Sequence, residues 1–570
     1  MNTKCPCCDP RFHLVTLYGE ARGLELYGWL QQRLKSFTPP PAPKALDQRS
    51  AILITYGDQF RREGEKPLQT LCRFGHEYLE GLISGIHVLP FYTSTSDDGF
   101  SVSDYKSVDP ELGTWEDIQR LGERFPLMFD AVINHVSAGS DWFKAFLAGD
   151  ERAAEDFIVL PPDSDLSQVV RPRTSPLLTR FETTSGDRWV WTTFSRDQVD
   201  LNYRSPAVLK AIVDIILTYV ERGARFLRLD AVAYLWKEAG TACIHLPQTH
   251  LLIQFLRAAL EQAAPQVALI TETNVPHADN LSYFGNGYNE AHMVYNFALP
   301  PLVLHSLATS SVVALSRWAS GLKLPSTEVN FFNFLASHDG IGLNPVRGIL
   351  SAAEIEALVQ RTLAHGGRVS YKTDLEGSQS AYELNISYFD ALSNPDGGEP
   401  QTLQVSRFVA AQAILLAMAG LPGIYIHSLL GTRNWYEGVR QSGYSRTINR
   451  HKFEYEQIMR QLNAPDSLPF QVFEGFARLL RARAGCPAFH PRGAQLVLEG
   501  GEGVFTLLRI SPDGLSTALC LHSVSAMPQT VSLVHSGLPQ RGWRDLLSGC
   551  VCDLGRLRLQ GYQVMWLVSD

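Results

Sequence analysis

The stretch ARFLRLDAV, residues 224–232, decides the fold because it joins a buried strand to two charged side chains. Its residues are almost continuously apolar, which is typical of a strand covered on both faces. Arg228 and Asp230 interrupt that run near its carboxyl end. The preceding segment, SPAVLKAIVDIILTYVERG, predicts a helix that Ser205 caps and Gly223 ends. A helix followed by a buried strand is the repeating unit of α/β folds.

The same pattern recurs along the chain in eight apolar runs, with helical stretches between them. Eight strand–helix units predict a (β/α)8 barrel. In such a barrel, polar side chains at the carboxyl ends of the strands face the active site. The runs are residues 51–58, 85–92, 127–135, 224–232, 267–274, 293–300, 330–339 and 421–428.

Other parts of the chain depart from this rhythm and predict the domain organisation. Residues 137–200 and 341–402 each follow a predicted strand and are rich in loop-forming residues, so we expect two insertions at the barrel rim. Residues 485–570 contain short alternating runs with glycine turns, which predict an antiparallel β-sandwich. Residues 1–45 predict a helical extension and a proline-rich linker. The catalytic barrel would then span residues 46–480.

Composition excludes several classes of function. The chain has 570 residues, is 45% hydrophobic and carries a formal charge of −8 without a basic stripe, which argues against nucleic-acid and anionic-membrane partners. We find neither a membrane span nor a signal peptide, and the nine scattered cysteines suit a reducing compartment, so we expect a cytoplasmic protein. Cys5, Cys7, Cys8 and His13 are not spaced as a metal site, and we predict none.

Ionisable side chains collect at the predicted carboxyl ends of the strands. Each of them alone has an ordinary structural explanation. A strand-end aspartate often caps a helix, a single histidine is usually a hydrogen-bonded core residue, and Arg228 could be a structural ion pair for Asp230. The residues are Asp58, His135, Arg228, Asp230, Glu272, His338 and Asp339.

Three acidic residues, Asp230, Glu272 and Asp339, give a more specific prediction when they are taken together. A retaining glycosidase uses one carboxylate to attack the anomeric carbon and a second, protonated one to release the leaving oxygen, with the pair about 5–5.5 Å apart. Arg228 would keep Asp230 ionised for attack, since a nearby cation favours the charged form of a carboxyl group. The pattern therefore predicts glycoside chemistry with retention.

Four short segments, DAVINH, FLRLDAVAY, ITET and LASHDG, resemble the signature regions of the α-amylase superfamily. The segments LITYGDQF, HVLPFY, DDGFSVSDY and FALPPLVLH are similar to its sucrose phosphorylase branch. Within that branch, LNYRSP and ETNVPHADNLSYFG look most like the glucosylglycerate phosphorylases. The resemblance runs from about Ile52 to the carboxyl terminus.

The resemblance implies a role for each residue at the predicted rim. Asp230 would be the nucleophile that forms a covalent β-glucosyl-enzyme, Glu272 the general acid/base, and Asp339 the stabiliser of the oxocarbenium-like transition state. Tyr105 stands where sucrose phosphorylases usually have a histidine, which leaves that sugar contact open. The residues implied to hold the glucosyl unit are Asp58, His135, Arg228, His338 and Arg446.

Phosphate would be a substrate of such an enzyme, and residues of the two insertions are candidates for the phosphate and acceptor sites. Arg173 matches the mobile-loop arginine of the family, and the second insertion supplies Lys372 and Tyr382. Glu383 replaces the glutamine that follows this tyrosine in sucrose phosphorylases, which argues against sucrose as the substrate. Arg188 is a further candidate, although a solvated loop charge explains Arg188 and Lys372 equally well. No cofactor and no calcium site are predicted.

The resemblance favours a retaining α-glucoside phosphorylase that converts 2-O-(α-D-glucosyl)-D-glycerate and phosphate to α-D-glucose 1-phosphate and D-glycerate. A sucrose or sucrose 6-phosphate phosphorylase is the closest alternative. The same three carboxylates would also serve an α-glucoside hydrolase or transglucosylase. A non-catalytic binding protein on such a barrel is a third class, but it would be expected to lack the nucleophile or the acid. The sequence does not indicate an oligomeric state.

Overall fold

The computed structural model describes residues 9–39, 45–373, 379–533, 536–539 and 542–569. Its centre is a closed barrel of eight parallel strands, which follow one another around the barrel in chain order. Every predicted apolar run supplies one of these strands, which confirms the (β/α)8 fold. The strands are β1 (Ile52–Thr55), β2 (Gly85–Val88), β3 (Leu127–Ala131), β4 (Ala224–Leu229), β5 (Ala268–Thr271), β6 (Met293–Tyr295), β7 (Asn330–Asn333) and β8 (Leu421–Tyr425).

Two neighbouring strands, β4 and β5, end immediately before acidic residues. Strand β4 ends at Leu229, immediately before Asp230, and β5 ends immediately before Glu272. The register between β4 and β3 places Arg228 beside Asp130. Because the strands of a parallel barrel share one direction, their carboxyl ends meet at a single rim.

Helices cover the outside of the barrel and account for its layered packing. Ser205 lies at the N-cap position of the helix Pro206–Glu221, as predicted. Its hydroxyl, however, donates a hydrogen bond to Asp156 Oδ1 at 2.8 Å and makes no capping bond to the helix. The prediction that its side chain caps the helix was therefore wrong. None of the described helices is long and apolar enough to span a membrane. The longer helices around the barrel are Pro67–Phe74, Trp115–Gly122, Pro206–Glu221, Pro247–Ala263, Leu299–Thr309, Val313–Gly321, Gln401–Ala417, Tyr455–Leu462 and Leu468–Ala484. Shorter ones are His277–Leu281, Ile426–Leu429 and Tyr436–Ser442.

The first insertion leaves the barrel after β3 and returns before the helix Pro206–Glu221. Its two ends are joined because His135–Ser137 pairs antiparallel with Gln198–Asp200. Between these ends, the insertion contains the helix Asp141–Leu147 and a hairpin of Leu178–Thr183 with Gly186–Trp191. We propose to treat residues 137–200 as one unit on this basis.

The second insertion follows β7 and approaches the first, since the guanidinium of Arg173 lies over the ring of Tyr382. Ile341–Gly342 pairs with Gln379–Asn385, and Arg368–Thr373 completes a three-stranded antiparallel sheet. The helices Ala352–Ala364 and Tyr388–Leu392 flank this sheet. The strand Gln379–Asn385 is thereby held next to the carboxyl end of β7.

The carboxyl-terminal residues form two antiparallel sheets, one of six strands and one of two. Val504, Leu519 and Leu567 of the larger sheet pack with Val531 and Leu559 of the smaller sheet in a core of their own. The larger sheet contains Ala494–Leu498, Val504–Ile510, Thr517–Ser523, Val564–Ser569, Trp543–Asp545 and Val551–Cys552, and the smaller one contains Gln529–Val531 and Leu557–Leu559.

The amino-terminal extension forms two helices, Pro10–Tyr18 and Glu20–Lys35, where the sequence predicted one. Gly19 separates them with a φ of 78°, a backbone conformation that glycine adopts readily. The cysteines of the predicted tail, Cys5, Cys7 and Cys8, lie outside the described residues.

Candidate active site

A cavity opens at the carboxyl ends of the barrel strands, between the two insertions. The predicted catalytic carboxylates from β4, β5 and the end of β7 share this cavity, in agreement with the geometry of such barrels. Nine of the residues predicted from the sequence line it. They are His135, Arg173, Asp230, Glu272, His338, Asp339, Tyr382, Glu383 and Arg446.

Arg228 lies beneath the cavity and joins carboxylates from three neighbouring strands. Its side chain is 2% exposed, and its Nη1 donates to Asp230 Oδ1 at 2.7 Å and to Asp130 Oδ1 at 2.5 Å. Its Nη2 lies 3.8 Å from Glu272 Oε2. On the far side of Asp130, His87 Nε2 lies 2.6 Å from Oδ2. Arg228 is therefore a positioning residue that fixes Asp230 and reduces the repulsion among buried carboxylates.

Asp230 is the better placed of the two neighbouring carboxylates to carry a negative charge. Burial raises the pKa of Asp230, and the guanidinium of Arg228 is the strongest of the influences that lower it. Arg228 makes its direct hydrogen bond to Asp230, whereas Glu272 has only the longer contact. The charged form that a nucleophile needs is thus favoured at Asp230.

Glu272 has the environment of a proton donor. Burial is the main cause that raises the pKa of Glu272 to about 7; Arg228 opposes the rise, and the charges of Asp230 and Asp339 add to it. Its Oε2 accepts a hydrogen bond from the backbone N–H of Ala231 at 3.1 Å. Ala231 has a φ of 49°, a left-handed conformation uncommon for alanine. The turn after Asp230 therefore holds Glu272 beside it.

Asp339 is stabilised as a permanent anion. Burial alone would raise the pKa of Asp339, but Arg446, His338 and Arg450 lower it well below its usual range. Arg446 Nη1 lies 2.5 Å from Asp339 Oδ1, and His338 Nε2 lies 3.4 Å from Oδ2. Burial lowers the pKa of His338 to about 3, so the ring is neutral. A fixed negative charge at this position can stabilise positive charge that develops on a sugar ring.

Glu383 lines the cavity, but its carboxylate is paired with Arg446. Its two oxygens accept hydrogen bonds from Arg446 Nε and Nη2, each at 3.0 Å. Arg446 is thereby shared between Glu383 and Asp339, so two carboxylates face its single positive charge. Gly340 makes this approach possible, since a Cβ at Gly340 would lie 2.5 Å from Glu383 Cγ.

Arg173 is the other arginine in the cavity lining and has a different environment. Among the described residues, no carboxylate lies within salt-bridge distance of its guanidinium. The guanidinium carbon instead lies over the rings of Phe194 and Tyr382, at 6.0 and 5.8 Å from their centres. Aromatic faces orient a guanidinium without neutralising it. Arg173 therefore retains the positive charge that an anionic ligand would require.

Besides Arg228, two further predicted sugar contacts, Asp58 and Tyr105, lie outside the cavity lining. Asp58 forms an ion pair with Lys452. The hydroxyl of Tyr105 is buried, with Val132 O at 3.0 Å and His135 O at 2.8 Å. Tyr105 thus supports the segment that carries His135, and this structure places neither Asp58 nor Tyr105 against the cavity.

Arg188 and Lys372 also lie outside the lining. Arg188 is exposed on the hairpin of the first insertion, where its Nη2 donates to Ser185 Oγ at 3.1 Å. Lys372 is half-buried on the strand Arg368–Thr373 of the second insertion. The exposed position of Arg188 favours the alternative explanation, a solvated charge, and its role in substrate binding stays a prediction.

Several lining residues were not singled out from the sequence. Phe100 stacks on His338 with ring centres 4.6 Å apart, and it lies in the segment DDGFSVSDY that carried the resemblance. The resemblance of that segment to the family could have identified Phe100 as a residue of the site. The others come from the end of the first insertion and from loops after β4, β5 and β6, where no periodic pattern marks them. They include Phe194, Gln198, Tyr234, Thr273, Asn274, Val275 and Phe297, whereas Asp97 belongs, like Phe100, to the segment DDGFSVSDY.

A buried lysine fastens the base of the first insertion to the loop after β4. The side chain of Lys237 is 2% exposed, and its Nζ lies 2.7 Å from Asn134 Oδ1 and 2.6 Å from Asp200 Oδ2. Asp200 also accepts hydrogen bonds from the backbone N–H and the hydroxyl of Thr193. The ammonium group of Lys237 thus joins Asn134, which follows β3, to Asp200 at the end of the insertion.

Comparison with known proteins gives matches over nearly the whole chain. The chain is 49% identical over 533 residues to a glucosylglycerate phosphorylase from Spirochaeta thermophila, covering 92% of this chain and 90% of that protein. It is 47% identical over 557 residues to one from Allomeiothermus silvanus, covering 98% of both chains. Residues 76–341 match the family described as alpha amylase, catalytic domain.

A solved structure supports the same placement. The crystal structure of sucrose 6F-phosphate phosphorylase from Thermoanaerobacter thermosaccharolyticum superposes with a TM-score of 0.73 at 25% identity. The superposition covers 84% of this chain and 95% of that one. From the fold, the arrangement of carboxylates and these near full-length identities, the chain belongs to the glucosylglycerate phosphorylase family, within the α-amylase group of enzymes.

Proposed function

We propose that the protein is a retaining phosphorylase that converts 2-O-(α-D-glucosyl)-D-glycerate and phosphate to α-D-glucose 1-phosphate and D-glycerate. The observation that carries this proposal is the identity of 49% and 47% to glucosylglycerate phosphorylases, over at least nine-tenths of the chain. The cavity supports it with carboxyl groups suited to act as acid and nucleophile, and with Arg173, which has no carboxylate within salt-bridge distance among the described residues.

In the first half of the reaction, the glucosyl unit is transferred to the enzyme. The carboxylate of Asp230 attacks the anomeric carbon, and the C1–O bond to glycerate breaks. Protonated Glu272 donates its proton to the departing oxygen, so that glycerate leaves as an alcohol. Asp339 remains charged and stabilises the oxocarbenium-like transition state. The product is a β-glucosyl ester of Asp230.

In the second half, phosphate takes the glucosyl unit from Asp230. An oxygen of hydrogen phosphate attacks C1, and its proton passes to the Glu272 carboxylate, which restores the acid. The bond between C1 and Asp230 breaks, and α-glucose 1-phosphate is released. Two inversions give net retention. Arg173 would hold the phosphate dianion, since the positive charge of Arg446 is already balanced by Asp339 and Glu383.

The test of this proposal is a comparison of substrates with the purified protein. Inorganic phosphate is supplied with glucosylglycerate, sucrose or sucrose 6-phosphate in separate reactions, and α-glucose 1-phosphate is assayed. We expect product from glucosylglycerate. Product from a sucrose substrate alone would correct the acceptor but keep the mechanism. Free glucose formed at a rate independent of phosphate would contradict phosphorolysis.

The pH dependence of kcat/KM should reveal Glu272. Its pKa of about 7 is raised, so the protonated acid persists up to that pH and is lost above it. We expect kcat/KM for glucosylglycerate to fall about tenfold per pH unit on the alkaline side. Glu272→Gln should remove this limb and lower the rate about 10³-fold.

α-Glucosyl fluoride provides the control for this pH effect, because fluoride leaves without a proton. Glu272→Gln should form the glucosyl-enzyme from the fluoride at close to the normal rate. An unchanged alkaline limb in Glu272→Gln would assign the titration to another group.

Arg173→Ala should separate phosphorolysis from hydrolysis. Loss of the guanidinium should raise KM for phosphate at least about tenfold, because a charge-assisted contact is lost, while slow hydrolysis of the glucosyl-enzyme continues. The measurement is the ratio of glucose 1-phosphate to glucose at several phosphate concentrations.

Arg188→Ala is the matched control, since Arg188 lies in the same insertion but is exposed outside the cavity. It should leave the product ratio unchanged. Equal loss of both reactions in Arg173→Ala would show that Arg173 does not select the anion.

A further inference from the structure

A second cavity, of about 680 Å³, lies at the opposite face of the barrel. Its inner wall is formed where β4 to β8 begin, at the amino ends of the strands, and it is remote from the catalytic rim. Its volume is in the range of small-molecule sites, roughly 300–1,000 Å³. The strand residues in this wall are Arg225, Phe226, Ala268, Met293, Asn330 and Leu421.

The charged residues of this cavity carry an unbalanced positive charge. Arg257 Nε lies 2.7 Å from Glu261 Oε1, and Arg492 Nη1 lies 3.1 Å from Glu328 Oε2, so these two pairs are neutral. Arg225 has no carboxylate within salt-bridge distance among the described residues. Three arginines against two glutamates leave one positive charge.

The environment of Arg225 makes that charge costly without a partner. Its guanidinium carbon lies 5.5 Å from the ring centre of Phe226, and the side chain is half-buried. Burial lowers the pKa of Arg225 to about 10, and no neighbouring anion opposes this change. A partly desolvated cation of this kind is stabilised by an anion that occupies the adjacent space.

His292 supplies a second donor to the same cavity. Its Nδ1 accepts a hydrogen bond from the backbone N–H of Leu269 at 3.0 Å. Burial lowers the pKa of His292 well below its usual range, so the ring is neutral and its proton lies on Nε2. Within the described part of the chain, this Nε2–H has no recorded acceptor.

We infer that the cavity at the amino ends of β4 to β8 is a binding site for a phosphoryl group, with Arg225 and His292 as its donors. A guanidinium fork and an imidazole N–H suit an oxyanion with several terminal oxygens. Inorganic phosphate and a sugar phosphate present the same group, and the volume leaves room for the sugar. The site is separate from the catalytic cavity and does not depend on the proposed activity.

The test counts phosphoryl ligands bound per chain at constant ionic strength. Equilibrium dialysis with labelled inorganic phosphate and with labelled α-glucose 1-phosphate is applied to the wild type, to Arg173→Ala and to Arg225→Gln. We expect a site that survives in Arg173→Ala and is weakened at least about tenfold in Arg225→Gln. Arg225→Gln should keep normal turnover, which also shows that it is folded. Arg225→Lys should retain part of the affinity.

Arg492→Gln is the matched control, because Arg492 lines the same cavity but is paired with Glu328. It should keep the site within about threefold. If glucose 1-phosphate displaces the bound label at concentrations tenfold lower than phosphate does, the ligand is a phosphate ester. If phosphate displaces the label at the lower concentrations, the ligand is free phosphate. Binding that disappears completely in Arg173→Ala, or that is unchanged in Arg225→Gln, would overturn the inference.

Discussion

Asp230→Asn is expected to lower kcat for phosphorolysis by at least about 10⁴-fold, because an amide cannot form the glucosyl ester. The fold should be unaffected or slightly more stable. Burial raises the pKa of Asp230, so removal of its charge relieves a desolvation cost, and an amide oxygen can still accept from Arg228. The measurements are the steady-state rate and the thermal midpoint of the same preparation.

Asp97→Asn is the matched control for this change. Asp97 lines the same cavity, but its Oδ2 accepts from Gln198 Nε2 at 3.1 Å and has no assigned role in the chemistry. We expect less than a tenfold loss of rate from it. A second check is mass spectrometry after a quench, which should detect a glucosylated peptide containing residue 230 in the wild type and none in Asp230→Asn. Near-normal turnover in Asp230→Asn would refute the assignment of the nucleophile.

Arg228→Met is expected to impair both stability and activity. Without the guanidinium, Asp130, Asp230 and Glu272 would be buried around an apolar side chain, and breaking a buried ion pair typically costs about 3–5 kcal/mol of unfolding free energy. The rate should fall by about 10²- to 10³-fold, since the nucleophile loses its orienting hydrogen bond. Chemical denaturation and steady-state kinetics measure the two effects.

Arg228→Lys separates charge from geometry. The ammonium keeps one positive charge but cannot span from Asp130 to Glu272 as the guanidinium does. We expect it to recover most of the stability and little of the rate. Full recovery of the rate by lysine would mean that charge alone, without the fork of donors, supports Asp230.

The barrel could be predicted from the sequence because its signal is local. Each buried parallel strand is a continuous apolar run, and several runs of this chain end in polar residues that the strand direction sends to one rim. The positions of Asp230, Glu272 and Asp339 followed from that rule. Arg228 was identified because its charge interrupts an apolar run at a strand end.

Contacts between distant segments could not be predicted in the same way. Asp130 and His87 lie inside apolar runs, and only the register of β2, β3 and β4 brings them to Arg228. The pairing of Glu383 with Arg446 joins residues 63 positions apart through the sheet of the second insertion. Such pairings depend on tertiary packing, for which a single sequence has no periodic signal.

The lysine at the base of the first insertion has a consequence for changing this enzyme. Both ends of that insertion are fixed by Lys237 and by the pairing of His135–Ser137 with Gln198–Asp200. We therefore expect that the chain between these ends can be exchanged without moving them. Arg173 lies within the first insertion, whereas the three carboxylates proposed to be catalytic lie outside it. Exchange of residues 138–196 for those of a relative should therefore change the binding of phosphate, which Arg173 is proposed to hold, while Asp230, Glu272 and Asp339 stay in place.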